Sequence, residues 1–330
     1  MFSRITRRAF ARVSAATAAA ALPISSGLAQ DQYPSRAVTI LEGFVPGGGS
    51  DIVARFLAQK LQADFGQPVV VENRPGASGT LATSALIRTR ADGYTVMMGS
   101  ISTTVVVPQA MATPPYDALR DLTPIMVAAR VPQVVVVPAS SPYRTLGELV
   151  AYARANPEKL NYASSGVAAA QHTAAELFSR AADVRMTHVP FRGSGQALTA
   201  LIAAQVDLNF DTLPTNLPHI REGRLKALAV TTAQRVEWLP DVPTIAEQGF
   251  PDYERTVWYM LVGPANLPEP IVSRWGSALN KILEAQDTKA YLRDRGFILG
   301  GGTAADAARL LREETERTRM LVRDANIRLD

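Results

Sequence analysis

Val38-Thr39-Ile40-Leu41-Glu42-Gly43-Phe44-Val45-Pro46-Gly47-Gly48-Gly49-Ser50-Asp51-Ile52-Val53-Ala54-Arg55-Phe56-Leu57 is the stretch that decides the fold. A β-branched apolar run, residues 38–45, reads as a strand. Three glycines follow, and then Ile52, Val53, Phe56, Leu57 and Leu61 recur at helical spacing, which predicts an amphipathic helix over residues 51–64. Residues 69–72 and 94–99 read as further strands. Later in the chain a strand at 160–163 precedes a helix through Glu176-Leu177-Phe178, and 186–191 precedes a helix over 197–204. Strands are also predicted at 206–210 and 225–231. Strands alternating with helices make βαβ units, hence an α/β fold with a mostly parallel sheet.

Two such sets are separated by the apolar stretch 122–138, and a second extended stretch, 253–262, leads back to two long helices that start at Pro270 and near Ala304. The economical architecture is two α/β lobes joined by two crossing strands, with a ligand cleft between them. One lobe is expected from residues 31–130 plus 256–330 and the other from 131–255. A continuous split near residue 150 is the alternative, and it leaves the C-terminal helices without a sheet to cover.

Residues 1–29 read as an export signal peptide. Arg4, Arg7, Arg8 and Arg12 with no acid are followed by an alanine-rich apolar run and the small residues before Ala29, where cleavage is expected. Thr6-Arg7-Arg8-Ala9-Phe10 resembles the twin-arginine signature, with an ordinary Sec signal as the alternative. The apolar run is too short to span a bilayer, so a periplasmic, soluble mature protein is expected. The chain of 330 residues carries 34 Lys plus Arg against 30 Asp plus Glu, a formal charge of +4. Since the leader holds four of those cations, the remainder is neutral, 30 against 30. No basic run with interleaved aromatics suggests nucleic acid. There is no cysteine, and the three histidines His172, His188 and His219 lack metal-ligand spacing, so neither metal nor cofactor is expected.

Chemistry in such sheets gathers where strands end and helices begin, because the first N–H groups of a helix are unpaired and carry about half a positive charge. Four turns of this kind are rich in small residues: 44–51, 99–104, 163–166 and 191–195. Any one could be a mere tight connection; four, two per lobe, favour an anion-binding cleft. Gly47-x-Gly49 lacks the third glycine of a dinucleotide fingerprint, and Arg192-Gly193-Ser194-Gly195 is not a nucleophile elbow. Asp51 reads as a helix N-cap and Asp211 as a strand-end hydrogen-bonding residue rather than as an acid/base pair. His172 fits a core or a cleft equally, His188 a structural position on an apolar strand, and Trp258 and Tyr259 hinge or core aromatics.

These loops resemble those of the Bug family, the periplasmic solute-binding receptors of tripartite tricarboxylate transporters. The resemblance runs from Tyr33 to the C-terminus. It rests on Phe44-x-x-Gly47-Gly48-x-x-Asp51, on Val69-Val70-Val71-Glu72-Asn73-Arg74-Pro75-Gly76 and on Leu160-Asn161-Tyr162-Ala163-Ser164-Ser165-Gly166. Further matches are His188-Val189-Pro190-Phe191-Arg192-Gly193 and Leu239-Pro240-Asp241-Val242-Pro243-Thr244.

The resemblance implies a type II periplasmic-binding-protein fold closing on a small organic carboxylate, with no reaction catalysed. It places Phe44, Gly47, Gly48, Ser50, Asp51, Ser100 and Ser102 in the cleft from the first lobe. Ser164, Ser165, His172, Phe191, Arg192, Gly193 and Asp211 would face them from the second. The implied partners are the membrane subunits of the transporter, the receptor itself being a monomer. One alternative is a sensor presenting the loaded form to a membrane histidine kinase. A remote one is a serine hydrolase using Ser165 or Ser194 with His172. The run Val167-Ala168-Ala169-Ala170 departs from the family's more hydroxylated pattern, and it either disfavours a second ligand carboxylate or simply packs the helix.

Overall fold

The computed structural model describes residues 33–324 and Arg328, so the leader 1–29 lies outside the described residues. Ten strands run in chain order: β1 (Val38–Glu42), β2 (Val69–Asn73), β3 (Thr95–Ser100), β4 (Leu122–Pro138), β5 (Asn161–Ser164), β6 (Thr187–Pro190), β7 (Leu208–Thr212), β8 (Leu225–Val230), β9 (Thr256–Pro264) and β10 (Ile298–Gly301). Their main path is β2-β1-β3-β9-β4-β7-β5-β6, with β8 and β10 both paired to β4.

The sheet is mixed rather than mostly parallel. β1 lies parallel to β2 and β3, and β5 lies parallel to β6 and β7. Every pairing made by β4 or β9 is antiparallel. Local hydrophobic period reveals each βαβ unit, but the direction of the long connecting strands is set by what they pair with after the chain returns.

β4 is the element that makes two lobes. Its 17 residues change partners part-way along. Leu122 through Pro132 run beside β9, whereas Gln133 through Val136 run beside β7. The change falls at Pro132-Gln133, where proline has no N–H to donate to a ladder. Gln133 is buried there, its amide donating to the Phe210 carbonyl at 3.3 Å. One apolar core packs on β1, β3 and β9 and contains Ile40, Leu57, Met97, Trp258 and Trp275. Two more clusters pack on opposite sides of the second half, one around Tyr162, Phe178 and Phe210 and the other around Val134, Ala163 and Leu201.

The opening helix shows how this sequence builds an element that positions a site. It spans Gly49–Phe65, starting two residues before the predicted boundary, with Gly48 as extended N-cap. It stops at Gly66, whose left-handed φ of 65° lets its N–H reach the Gln62 carbonyl. Val53, Leu57 and Leu61 bury one face completely. Asp51 is therefore not the N-cap but lies inside the first turn, where its carboxylate accepts from the Gly47 N–H at 3.1 Å. β1 ends at Glu42, short of the expected 45, because Gly43 begins the turn.

Trp275 anchors the returning helix Glu269–Glu284. Its ring is fully buried, stands edge-on to Phe65 at 4.9 Å and donates its N–H to the Tyr33 hydroxyl at 2.7 Å. Trp275→Ala should cost about 3–5 kcal/mol of unfolding free energy in urea, and a loss below 1 kcal/mol would contradict this packing.

Candidate functional site

A cavity of about 30 Å³ lies where the two halves of the sheet meet, lined by Phe44, Gly48, Gly49, Ser50, Ser100, Ser102, Ser165, Ala170, Gln171, Ser194, Thr212, Val257 and Tyr259. A roomier hollow of about 220 Å³ beside Arg130 and Gly301 is lined by charges such as Arg309 and Asp306, which already pair at 2.9 Å. The second meets one helix start, at Asp306 in the first turn of the helix Ala304–Asp324, whereas the first is met by four. The helices Gly49–Phe65, Ala170–Ala182, Ser194–Ile202 and Leu213–Arg221 each begin at or beside a lining residue. In each, the opening N–H groups have no carbonyl one turn earlier to bond. Four partial positive ends therefore converge on a space that no Lys or Arg lines, among the described residues.

The glycine turn is held by a small polar clamp. Asp51 accepts from Arg55 Nε at 2.9 Å and from Asn73 Nδ2 at 2.9 Å, and the same Asn73 amide bonds the Phe44 carbonyl at 2.9 Å. Burial pushes the Asp51 pKa upward, but Arg55, Asn73 and the Gly47 amide outweigh it and hold the carboxyl below its ordinary range. Asp51 thus shapes the turn from behind. Close approach is needed on the opposite side: a Cβ on Gly49 would fall 2.5 Å from the Tyr259 hydroxyl.

From the second half comes a network centred on Asp211. Ser165 donates to Gln171 Oε1 at 2.8 Å, and Gln171 Nε2 donates to Asp211 Oδ1 at 2.8 Å and to Ser194 Oγ at 2.9 Å. Ser194 Oγ and the Thr212 N–H also donate to Asp211 Oδ1, at 3.1 and 2.7 Å. Oδ2 is buried without a partner. Burial raises the Asp211 pKa, opposed by the bonds from Gln171, Thr212 and Ser194. Asp211 sits behind the wall and fixes the groups that form it.

Phe44, Gly48, Ser50, Ser100, Ser102 and Ser165, all expected from the sequence, line the cavity. The other expected residues lie elsewhere. Gly47 is exposed in the turn at φ 96°, Ser164 is completely buried, and Arg192 is exposed. Phe191 packs against the second-half core. Gly193 is pressed on Val45, where an added Cβ would meet Val45 Cγ2 at 2.7 Å.

His172 and His188 are not on the wall. Their rings stack at 3.9 Å, with Tyr162 beyond His188 at 4.9 Å. His172 Nδ1 accepts the Ala168 N–H at 3.0 Å, which keeps the loop 166–169 folded onto the helix start. Burial lowers the His172 pKa to about 4. Burial, and then the neighbouring His172, lowers that of His188 to about 3. His188 is therefore part of an aromatic stack beside a half-buried strand rather than of an apolar one.

No hydrolytic Ser–His pair forms from the residues considered. Ser165 and Ser194 are bound to Gln171 and Asp211, as above. The bonded pair is Ser164 with His188 Nε2 at 2.6 Å, but the Ser164 hydroxyl already donates to the Gly166 carbonyl at 2.9 Å, so the imidazole cannot act as its base.

Gly49, Ala170, Gln171, Thr212, Val257 and Tyr259 are lining residues that sequence reasoning missed, and Ser194 had been considered only as a nucleophile. The two-residue alternation of Val257 and Tyr259 on a crossing strand was a usable signal. The position of Gln171 depends on Ala168 adopting a left-handed φ of 58°, which nothing local announces.

The halves touch across the cavity. The Ala170 N–H donates to Ser102 Oγ at 2.8 Å, and Ser78 Oγ donates to the Val167 carbonyl at 2.6 Å.

A lobed α/β frame with helix starts at its seam defines a solute-binding receptor, and the comparisons agree. The family described as "Tripartite tricarboxylate transporter family receptor" matches residues 53–327. Protein BugT of Bordetella pertussis is 32% identical over 315 residues, covering 95% of each chain. An R. palustris protein, Rpa4515, solved with adipate, is 35% identical with a TM-score of 0.87, covering 90% of this chain and 99% of that one. MatC of Rhodopseudomonas palustris, solved with bound malate, is 31% identical with a TM-score of 0.84, covering 88% of this chain and all (100%) of that one. The chain belongs to the tripartite tricarboxylate transporter receptor family, the Bug-type solute-binding proteins, and has their two-lobed periplasmic-binding-protein fold. It is a receptor and not an enzyme.

Gly49→Ala should cost about 1–3 kcal/mol by overpacking against Tyr259, and Tyr259→Phe in the same chain should recover most of it. Equal losses in both backgrounds, measured by urea unfolding, would show that the two groups do not meet.

Proposed function

We propose that this protein captures an organic carboxylate between its lobes and delivers it to the membrane subunits of a tripartite tricarboxylate transporter. The observation that carries this reading is the convergence of four helix N-termini on one cavity without a lining cation. Unpaired N–H groups favour an anion, and hydroxyls at Ser102 and Tyr259 can add to them. The solved relatives with adipate and with malate give the same chemical class. The lobes proposed are residues 31–130 plus 256–330 and residues 131–255, with β4 and β9 as the crossings between them. Closure is a population shift, limited to the ligand's difference in affinity between open and closed forms.

Phe44, Ala170 and Val257 supply apolar wall beside the polar groups, which suits an apolar remainder on the ligand. A monocarboxylate with an aromatic or aliphatic remainder is therefore the proposed ligand class. In a thermal-shift screen followed by calorimetry, benzoate-type acids should raise Tm more and bind more tightly than succinate or citrate. Tighter binding of citrate or succinate would sink the preference, and no shift with any organic acid would sink the carboxylate reading.

The basic, apolar, small-residue order of residues 1–29 supports export to the periplasm, and no helix among the described residues is long and apolar enough to cross a membrane. Protein recovered from the periplasm should begin at Gln30 by N-terminal sequencing; an intact Met1 there would contradict cleavage after Ala29.

A further inference from the structure

Glu42 is fully buried at the end of β1, a poor place for a carboxylate in a protein that binds carboxylates. Its Oε1 is 2.9 Å from Ser50 Oγ, and its Oε2 has no partner. Ser50 is the second residue of the opening helix and lines the cavity. A serine has one proton to give. With Glu42 ionised, that proton points backward into the carboxylate, and Ser50 shows only lone pairs to the cavity, which an anion cannot use. With Glu42 protonated, its O–H can donate to Ser50 Oγ, and the serine proton is released toward the cavity.

We infer that Glu42 is a positioning residue that sets the donor direction of Ser50, so that a carboxylate is captured by the form protonated at Glu42, and a proton is taken up from solvent wherever Glu42 is ionised in the free protein. This rests on the carboxylate reading above and adds a regulation of the same site. The proton stays on Glu42 while ligand is bound, and no bond other than O–H is made.

The surroundings of Glu42 are consistent with a proton held near neutral pH. Burial pushes its pKa up to about 8, against the Ser50 hydroxyl and the amides of Phe44 and Gly43, with the Asp51 charge pushing further upward. From the opening helix, Arg55 also acts on it and favours the ionised form, but Arg55 is committed to Asp51 at 2.9 Å. From β9, the Tyr259 hydroxyl faces both Glu42 and Asp211, and its own pKa is raised, chiefly by burial, so it stays neutral across this range. From β2, Asn73 bonds Asp51, and Arg74 approaches through its backbone N–H to the Glu42 carbonyl, its guanidinium pairing with Glu72 at 2.7 Å. Glu42 also differs from Asp211, whose Oδ1 already holds three donors and so cannot reverse Ser194 as simply.

The sign follows from linkage. Ligand binds the protonated form, so affinity is full below the Glu42 pKa and falls about ten-fold per pH unit above it. With the pKa near about 8, the Kd for benzoate or adipate should be roughly ten-fold weaker at pH 9 than at pH 7. Titration calorimetry at pH 9, where Glu42 is ionised in the free protein, reads the uptake of close to one proton when run in two buffers of different ionisation heat. In Glu42→Gln, whose amide donates at every pH, the pH 9 to pH 7 ratio should fall to about one. Glu42→Leu, which offers no acceptor to draw the Ser50 proton backward, should likewise lose the pH dependence. A second measurement needs neither ligand nor those variants: infrared spectra of protein labelled at the glutamate carboxyl should show a protonated carboxylic-acid band at pH 7 that fades by pH 9 and shifts in Ser50→Ala.

A flat Kd in the wild type, an unchanged slope in Glu42→Gln, or the absence of that band at pH 7 overturns the proposal. A pH dependence that persists unchanged in Ser50→Ala also overturns it, since plain charge repulsion would then suffice. If neither acid binds at either pH while the band titrates as described, it is the carboxylate reading that fails, and the coupling fails with it.

Discussion

An anion can be held without a cation only where backbone N–H groups are left unpaired and kept from turning away. The proposed site draws on four helix starts, at one of which the Ala170 N–H is bonded across to Ser102 Oγ, and much of the molecule serves to aim them. The opening helix is aimed by the Asp51 clamp, which binds Gly47, Arg55 and Asn73 at once. The helix at Ala170 is aimed by His172, which accepts the Ala168 N–H and stacks on His188. The helix at Ser194 is aimed by Asp211. Each clamp is polar, lies behind the wall, and is satisfied mainly by neighbours in its own half of the sheet.

Why two halves at all? A single continuous sheet would fix the distances between helix starts permanently, and a ligand could neither enter nor be gripped. β4 avoids this by exchanging β9 for β7 at Pro132-Gln133, so the two halves share a strand while their cores are largely separate, with Ala168 and Ala170 packing across onto the first. Direct bonds join the halves at the cavity, such as Ser102 to Ala170, and near it, such as Ser78 to Val167. Bonds of this kind contribute roughly 0.5–1.5 kcal/mol each, small enough for a ligand's own contacts to compete with.

The same economy explains two buried carboxylic groups beside a site for acids. Glu42 and Asp211 each contact a cavity serine, Ser50 and Ser194, and burial raises the pKa of both. A protonated Glu42, as proposed above, costs the binding of an anion little, while it holds the Ser50 hydroxyl in one orientation. A cation in the same place would bind the acid more strongly in both lobes and would make release harder.

Much of this was legible in the residues. The strand–glycine–helix pattern at 38–57, the repeat of that pattern, and the apolar stretch at 122–138 depend on local period and turn chemistry, which a sequence carries directly. Phe44, Gly48, Ser50, Ser100, Ser102 and Ser165 stand in or beside those turns, and the family resemblance is what placed them in the cleft. Direction of pairing could not: β4 and β9 run antiparallel to their neighbours because of where a chain more than a hundred residues later comes to lie. Nor could the depth of a side chain. Asp51 lies at the expected helix start, Asp211 at the expected strand end and His172 in the expected helix, yet each points behind the wall, whereas Tyr259 and Val257 reach it from a distant strand. Sequence by itself determined which segments become strands and helices and which turns leave N–H groups unpaired, since these are nearest-neighbour properties. Only the tertiary structure decided which of those N–H groups face one another and how deeply Glu42 and Asp211 are buried, because both depend on distances between segments that the chain brings together only on folding.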